Sequence, residues 1–435
     1  MKKVLIITYY WPPSGGGGVQ RWLKFAKYLR DFGWEPIIYT PENPEAPQTD
    51  ESLLKEVPPD IKVLKTRVWE PYQLYKRFTG RKTDEKIQTA FLSEKKNPGL
   101  AEKLSIWIRG NFFIPDARRF WIKPSVKFLS KYLLENPVGA IVSTGPPHSM
   151  HLIGLKLFER LKIPWLADFR DPWTNIDYYN DLKLTTRADR KHHRLEEKVL
   201  KTASAVTVVS PGMKTEFEAI ISRNYKVITN GFDAADFPDR VKSVVKSEKF
   251  SLAHIGSLVK TRNPEELWKA LSLLMKSEQG FAADLEIRLI GKTDFFVKQS
   301  LESFGLQQFV TAIDYLPHSQ VIQEQLKASV LLLLINRTPN AHLILTGKLF
   351  EYLGSARPIL CIGPANGDAA KIIQDAGAGL VADFGDHERL AKHILGFYIS
   401  WKKDENMSKT IDNSRFERRN LTAEMASQLN TICGF

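Results

Sequence analysis

Short runs rich in Val, Ile and Leu alternate along the chain with longer stretches in which apolar residues recur at helical spacing. The short runs lack apolar-polar alternation, so they predict strands buried on both faces, and the longer stretches predict helices crossing between parallel strands. In the first half the expected strands are Val4 to Thr8, Pro36 to Tyr39, Ile61 to Lys65, Ala140 to Ser143, Trp165 to Asp168, Ala205 to Val209 and Lys226 to Thr229. In the second half they are Phe250 to Ile255, Leu285 to Ile290, Val310 to Asp314, Val330 to Ile335, Pro358 to Ile362 and Gly379 to Ala382. The pattern breaks near Asn230-Gly231-Phe232-Asp233, and the polar, aperiodic stretch Asp239 to Lys249 then suggests a hinge or linker. Two α/β domains with parallel sheets follow from this reading. The two halves also open alike. Val4 to Thr8 leads through Gly15 to Gly18 into a helix over Val19 to Asp31, and Phe250 to Ile255 leads through Gly256-Ser257 into a helix from Pro264. A last helix is expected over Ile411 to Leu429.

Composition narrows the class without changing this picture. With 435 residues, 43% hydrophobic and 26% charged, the chain is that of a globular protein with large cores. No apolar run approaches the roughly 20 residues of a membrane span. Only two cysteines occur, and Cys361 falls in an expected core strand, which argues against a disulfide framework and for a reducing cytoplasm.

The net charge of +13 is unevenly spread: Lys62 to Lys131 holds seventeen Lys and Arg against six Asp and Glu. Interleaved there are Trp69, Tyr72, Tyr75, Phe78, Trp107, Phe112, Phe113, Phe120 and Trp121. Basic residues mixed with interfacial aromatics suit an anionic membrane surface, whereas aromatics turned inward would leave only a solvated helical face. No nucleic-acid motif accompanies the segment, and nucleic acid is not an expected partner.

Candidate chemistry clusters where strands end. Thr346-Gly347-Lys348 opens a helix between two apolar strands. A helix start offers unpaired N–H groups, Gly347 admits a ligand to the backbone and Lys348 adds a full charge, so a diphosphate is the natural guest. Glu351 lies one turn on, where a carboxylate can accept from sugar hydroxyls. The alternative is a capped surface helix with an ordinary Lys-Glu pair. Gly256 to Pro264 places Lys260 and Arg262 beyond another strand, and only the arginine can clamp phosphate bidentately. In the first half, Gly17 and Gly18 of the glycine loop permit close approach to a ligand. The loop matches neither a dinucleotide fingerprint nor a P-loop, and Arg21 just beyond it could face phosphate or solvent. His148 and His151 follow one strand, and Asp168, Arg170 and Asp171 end the next, on the edge where open α/β sheets hold ligands. Three charged residues in a row are poor core material, which favours function over a buried ion pair. There is no D-x-D, no Cys/His spacing and no H-E-x-x-H, so no metal site is expected.

Taken in order, these pieces resemble the GT-B nucleotide-sugar glycosyltransferases, and among them the large retaining family numbered four. The resemblance rests on Gly15 to Gly18, Val208-Val209-Ser210, Ile228 to Asp233, Gly256 with Arg262, and Gly347-Lys348 with Glu351. It implies two Rossmann-like domains facing across a cleft: residues 1–236 on the acceptor side, with the basic aromatic insertion at about 66–131; residues 237–410 for the donor; and 411–435 as a helix crossing back. It implies metal-independent transfer with retention, no cofactor, and a UDP- or GDP-sugar as co-substrate. Glu351 matches the second glutamate of the family's E-x7-E motif, which holds the ribose; the first would fall at Leu343 and is absent. Lys348 and Arg262 match the basic pair on the donor diphosphate, with Gly256 and Gly347 beside them. The family's usual histidine position is occupied by Phe169-Arg170-Asp171, which leaves its catalytic role to Asp171, Arg170 or His148. The expected function is a hexosyltransferase acting on a glycan or lipid-linked acceptor in surface polysaccharide or glycolipid synthesis, in the cytoplasm and peripheral to the inner face of the membrane. A nucleotide-sugar epimerase or a non-enzymatic nucleotide- or glycan-binding module is the alternative.

Overall fold

A computed structural model describes residues 1–46, 49–70, 100–176, 179–237, 247–314, 316–405 and 411–434. Tyr72, Tyr75 and Phe78 of the basic aromatic segment, and most of the Asp239 to Lys249 linker, lie outside the described residues. The chain forms two compact units, Met1–Thr229 with Arg418–Phe435, and Asn230–Glu417.

Unit 1 is built on a seven-stranded parallel sheet in the order β3-β2-β1-β4-β5-β6-β7. Its strands are β1 (Lys2–Ile7), β2 (Trp34–Pro41), β3 (Lys62–Thr66), β4 (Ala140–Gly145), β5 (Trp165–Phe169), β6 (Ala205–Val208) and β7 (Lys226–Val227). Unit 2 repeats the plan with six parallel strands, β10-β9-β8-β11-β12-β13. These are β8 (Phe250–Ile255), β9 (Leu285–Ile290), β10 (Val310–Ile313), β11 (Val330–Leu334), β12 (Ile359–Ile362) and β13 (Gly379–Ala382). Each apolar run in the sequence became a strand because both faces of each sheet are covered by helices. The cores show it: Leu5 and Ile7 pack with one cluster while Val4 and Ile6 pack with another. Both units are therefore Rossmann-like, and each reverses its strand order once, at β1/β4 and at β8/β11. Ligand crevices form at such switch points.

The helices that matter below are α1 (Gly17–Tyr28), α2 (Leu100–Phe112), α3 (Arg119–Glu135), α4 (Ser149–Leu161), α5 (Thr186–Thr202), α6 (Glu265–Ser277), α7 (His318–Lys327), α8 (Gly347–Ser355) and α9 (Arg418–Ile432). Helix α9 belongs to unit 1: Leu421, Met425, Ala426 and Leu429 join Trp22, Phe25 and Leu29 in its core. At the junction, Phe232 and Phe237 pack with unit 2, where a β-carbon at Gly354 would strike both rings. That packing places Asn230 onward in unit 2, a few residues before the boundary at 236 read from the sequence.

Several expectations for the basic aromatic segment require correction. Helix α3 is no surface insertion but packs into the core between β3 and β4, burying Trp121, Ile122, Leu129 and Leu133. Trp121 stacks on Tyr39 at 4.8 Å and donates to Thr66 Oγ1 at 2.8 Å, so it cannot enter a bilayer. Arg118 is 4% exposed and its Nε lies 2.7 Å from Glu70 Oε1, which removes it from any outer charge patch. Trp69, Trp107, Phe112 and Phe120 are exposed. Cys361 and Cys433 are both free, and burial pushes the Cys361 thiol up to about 12. Among the described residues no helix is long and apolar enough to cross a membrane.

Candidate functional site

In unit 2 the switch point brings together the ends of β8 and β11 and the start of α8. Gly256, directly after β8, has φ +111, and a β-carbon there would overlap the Lys348 ammonium. Glycine is thus required twice, for its backbone and for the space that the lysine side chain occupies. Arg262 lies in a short 3-10 turn (Lys260–Arg262) ahead of α6, and its Nε donates to Asn336 Oδ1 just beyond β11. Lys348 has no ion pair among the described residues. Burial, helped by Arg262 and opposed in part by Glu351, brings its ammonium down to about 8. Burial and the Lys348 charge push His254, beneath them on β8, down to about 3, while its Nδ1 donates to the Leu332 carbonyl at 3.2 Å.

The start of α8 is open. Thr346 occupies the N-cap position, yet among the described residues no side chain caps the helix, the buried Thr346 hydroxyl has no partner, and nothing lies within 4 Å of where a Gly347 β-carbon would be. Two inwardly held cations therefore adjoin a helix start whose first N–H groups, those of Gly347 and Lys348, have no partner among the described residues, an arrangement that an oxyanion completes. Glu351, one turn further, accepts from Gln325 Nε2 of α7 at 3.3 Å. Burial raises its carboxyl, His318 and Gln325 oppose the shift, and His318 lies 3.6 Å from Asp236. The structure thus brings Gly256, Arg262, Lys348, Gly347 and Glu351 to one place. Asn336, Gln325 and His318 were missed by the sequence reading. Asn336 could have been found as the polar residue immediately following strand β11 and Ile335.

In unit 1 the residues divide. Asp168 and Arg21 are both fully buried and form a bidentate pair, with Arg21 Nη2 at 2.8 Å and Nε at 3.1 Å from the carboxylate. Arg21 also donates to the Ile228 and Thr229 carbonyls, so it neither faces solvent nor reaches a ligand, and Asp168 is a core residue rather than a functional one. His151 is likewise internal, its Nδ1 2.9 Å from Ser143 Oγ. Arg170 is half-buried and donates to the Gly18 carbonyl at 3.0 Å and to the Pro146 carbonyl, and a β-carbon at Gly18 would lie 2.7 Å from its Nη1. Thus Arg170 ties the glycine loop, with Gly17 and Gly18 at the start of α1, to the β4–α4 turn. Asp171 beside it is exposed, and its charge supports the Arg170 guanidinium. His148, at the start of α4, stacks on Trp173 at 4.7 Å and 4°. Burial, then His151, His192 and Arg170, hold it well below the ordinary histidine range, which favours the neutral imidazole, and its Nδ1 has no partner among the described residues. Asp171, Arg170 and His148 therefore share the carboxyl edge of β4 and β5. Among the described residues no group of three or more His, Cys, Asp and Glu side chains is placed to hold a metal ion.

No curated protein sequence matches the chain. Solved structures similar to it include sucrose-phosphate synthase from Thermosynechococcus elongatus, at 13% identity and TM-score 0.65 with 100% of both chains covered. Anabaena HepE in complex with UDP-glucose matches at 15% identity and TM-score 0.62, covering 99% of this chain and 100% of HepE. The lipopolysaccharide outer core galactosyltransferase WaaB in its apo form matches at 14% and TM-score 0.56, covering 99% of each. At these identities the likeness is one of fold, and the fold is GT-B. Residues 236–413, the stretch that carries Gly256, Arg262, Lys348 and Glu351, match the family model described as Glycosyl transferases group 1.

Proposed function

We propose that the chain is a retaining, nucleotide-sugar-dependent glycosyltransferase that moves a hexose from a UDP- or GDP-linked donor to a glycan or lipid-linked acceptor in surface polysaccharide or glycolipid synthesis. The observation that carries this reading is the Lys348 ammonium folded over Gly256 beside Arg262, at the uncapped start of α8 with Glu351 one turn away. Such a cluster fits a diphosphate and the ribose attached to it. The match of residues 236–413 to a glycosyl transferase family and the likeness to HepE, whose structure holds UDP-glucose, support the same donor class.

In this mechanism the bond from the anomeric carbon to the diphosphate breaks as the acceptor hydroxyl attacks from the same face, and the hydroxyl proton passes to the departing diphosphate oxygen. Negative charge grows on the leaving diphosphate, where Lys348, Arg262 and the helix dipole meet it, so catalysis is chiefly electrostatic and needs no resident cofactor. His148, Arg170 and Asp171, which share the carboxyl edge of β4 and β5, are the unit 1 groups proposed to serve the transfer. Glu351→Ala is expected to weaken binding of UDP or GDP by roughly 1.5–3 kcal/mol, because the ribose hydroxyls lose a charge-assisted partner. Calorimetric titration of wild type and variant measures this directly, and unchanged affinity would take Glu351 out of the site.

The acceptor side of the proposal includes a bilayer. Leu104, Trp107, Ile108 and Phe112 of α2 are exposed, with Trp69 and Phe120 in edge contact at 4.9 Å, in the segment where seventeen basic residues face six acidic ones. Apolar burial plus attraction to acidic lipids suits this surface to the cytoplasmic face of an anionic membrane. Wild type should co-sediment with acidic vesicles, less so as salt rises, and Trp107→Ala with Phe112→Ala should reduce recovery several-fold. Equal recovery on neutral and acidic vesicles, or none on either, would favour a soluble acceptor.

A further inference from the structure

Unit 1 contains a cavity of about 170 Å³ that the donor cluster does not use. It is lined by the end of α2, the β4–α4 turn and the connection between β5 and α5, and Phe113, Trp173 and Tyr179 give it aromatic walls. Its charges are of two kinds. Asp116 is committed: its carboxylate accepts from the Ser149 N–H, the Ser149 hydroxyl and the Arg118 N–H, each at 2.8 Å. Arg118 is held by Glu70. His192 accepts from Trp173 Nε1 at 3.0 Å. The Arg109 guanidinium, in contrast, makes no ion pair or hydrogen bond with a described residue, although the side chain is only half-exposed. His148, 8% exposed, forms part of the same wall with its Nδ1 buried on the Gly145 side.

Aromatic faces take the C–H face of a sugar ring, and a half-buried guanidinium without a counter-ion favours a carboxylate or phosphate. The space suits a single ring rather than a long glycan, being smaller than the roughly 300 Å³ at which drug-sized sites begin. Building on the proposed sugar transfer, we infer that this cavity holds the acceptor sugar, and that this sugar carries an anionic group which Arg109 takes. Acceptors of this class are uronic acids and sugar phosphates, and a neutral hexose leaves the arginine unanswered.

The test is calorimetric titration of the full chain with methyl glucuronide, glucose 6-phosphate, methyl glucoside and inorganic phosphate, for wild type, Arg109→Gln and Arg109→Lys, with UDP and GDP titrated into each. The two charged sugars should bind wild type at least tenfold more tightly than methyl glucoside. Arg109→Gln should bring them to the neutral level, and Arg109→Lys should recover part of the difference. Phosphate alone should bind more weakly than glucose 6-phosphate, since it lacks the ring. Equal binding of charged and neutral sugars, insensitivity to Arg109→Gln, or phosphate binding as tightly as the sugar phosphate would overturn the inference. If wild type binds UDP but none of the sugars, the inference fails and the transferase reading stands. If it binds charged sugars but neither UDP nor GDP, the transferase reading fails.

Discussion

Asp168→Ala is expected to destabilise unit 1 by about 3–5 kcal/mol, because it strands a fully buried guanidinium. The carboxylate accepts from Arg21 Nη2 and Nε, from Trp22 Nε1 at 2.8 Å, from Thr144 Oγ1 at 3.0 Å and from Thr207 Oγ1 at 2.8 Å. Burial alone would raise its pKa, yet the Arg21 charge and the bonds from Arg21, Trp22 and Thr207 bring it down to about 2. With its folded value depressed, the group stabilises the fold above the ordinary aspartate range, and that contribution is lost as pH falls from about 4 through about 2. Urea unfolding followed by circular dichroism should show the wild type losing stability over that interval and Asp168→Asn losing much less there. Replacing both partners, Arg21→Met with Asp168→Leu, should recover much of the loss, since no unpaired charge remains. A single Asp168→Ala variant within 1 kcal/mol of wild type would show that the pair is not a keystone of unit 1.

The second large effect is on binding. Lys348→Met should weaken nucleoside diphosphate binding by about 100-fold, the equivalent of losing a close charge-assisted contact of roughly 2–3 kcal/mol, without weakening the fold. The lysine carries its charge in a site that burial makes unfavourable, which is why its pKa stands near 8. A base depressed in the folded state costs stability below that value, and the cost fades as pH rises from about 8 toward the ordinary lysine range. Removing the charge should therefore leave urea stability at pH 7 unchanged or raise it by about 1 kcal/mol, a trade of stability for function. Diphosphate affinity of the wild type should also fall as pH rises through about 8, by up to a decade per unit, whereas Lys348→Arg should show a flatter profile. An affinity indifferent to both substitution and pH would remove Lys348 from the site.

These two residues also show what the sequence disclosed. The strands were legible because a run such as Val330 to Leu334 is apolar throughout and fits only a sheet covered on both faces. The α8 start was legible because its chemistry is local: Gly347, Lys348 and Glu351 fall within two turns of one helix. Asp168 was misleading because its partner Arg21 lies 147 residues away, and no local pattern tells a paired core carboxylate from a catalytic one. Trp121 and Arg118 were misassigned for the same reason, since Tyr39 and Glu70 bury them only after the chain has folded back. The cavity around Arg109 was invisible because its walls come from four separate stretches of chain, none carrying a motif.

The return of α9 to unit 1 bears on how the chain folds during synthesis. Every residue of unit 2 precedes Arg418, so that unit can close as soon as Glu417 has left the ribosome. Unit 1 begins first but must wait, with Trp22, Phe25 and Leu29 unsheltered, until Leu421, Met425 and Leu429 arrive. Long-range closure of this kind is slow and leaves apolar surface open to aggregation. A nascent chain stalled before residue 418 should accordingly hold a protease-resistant unit 2 beside a protease-sensitive unit 1, an order of completion opposite to the order of translation.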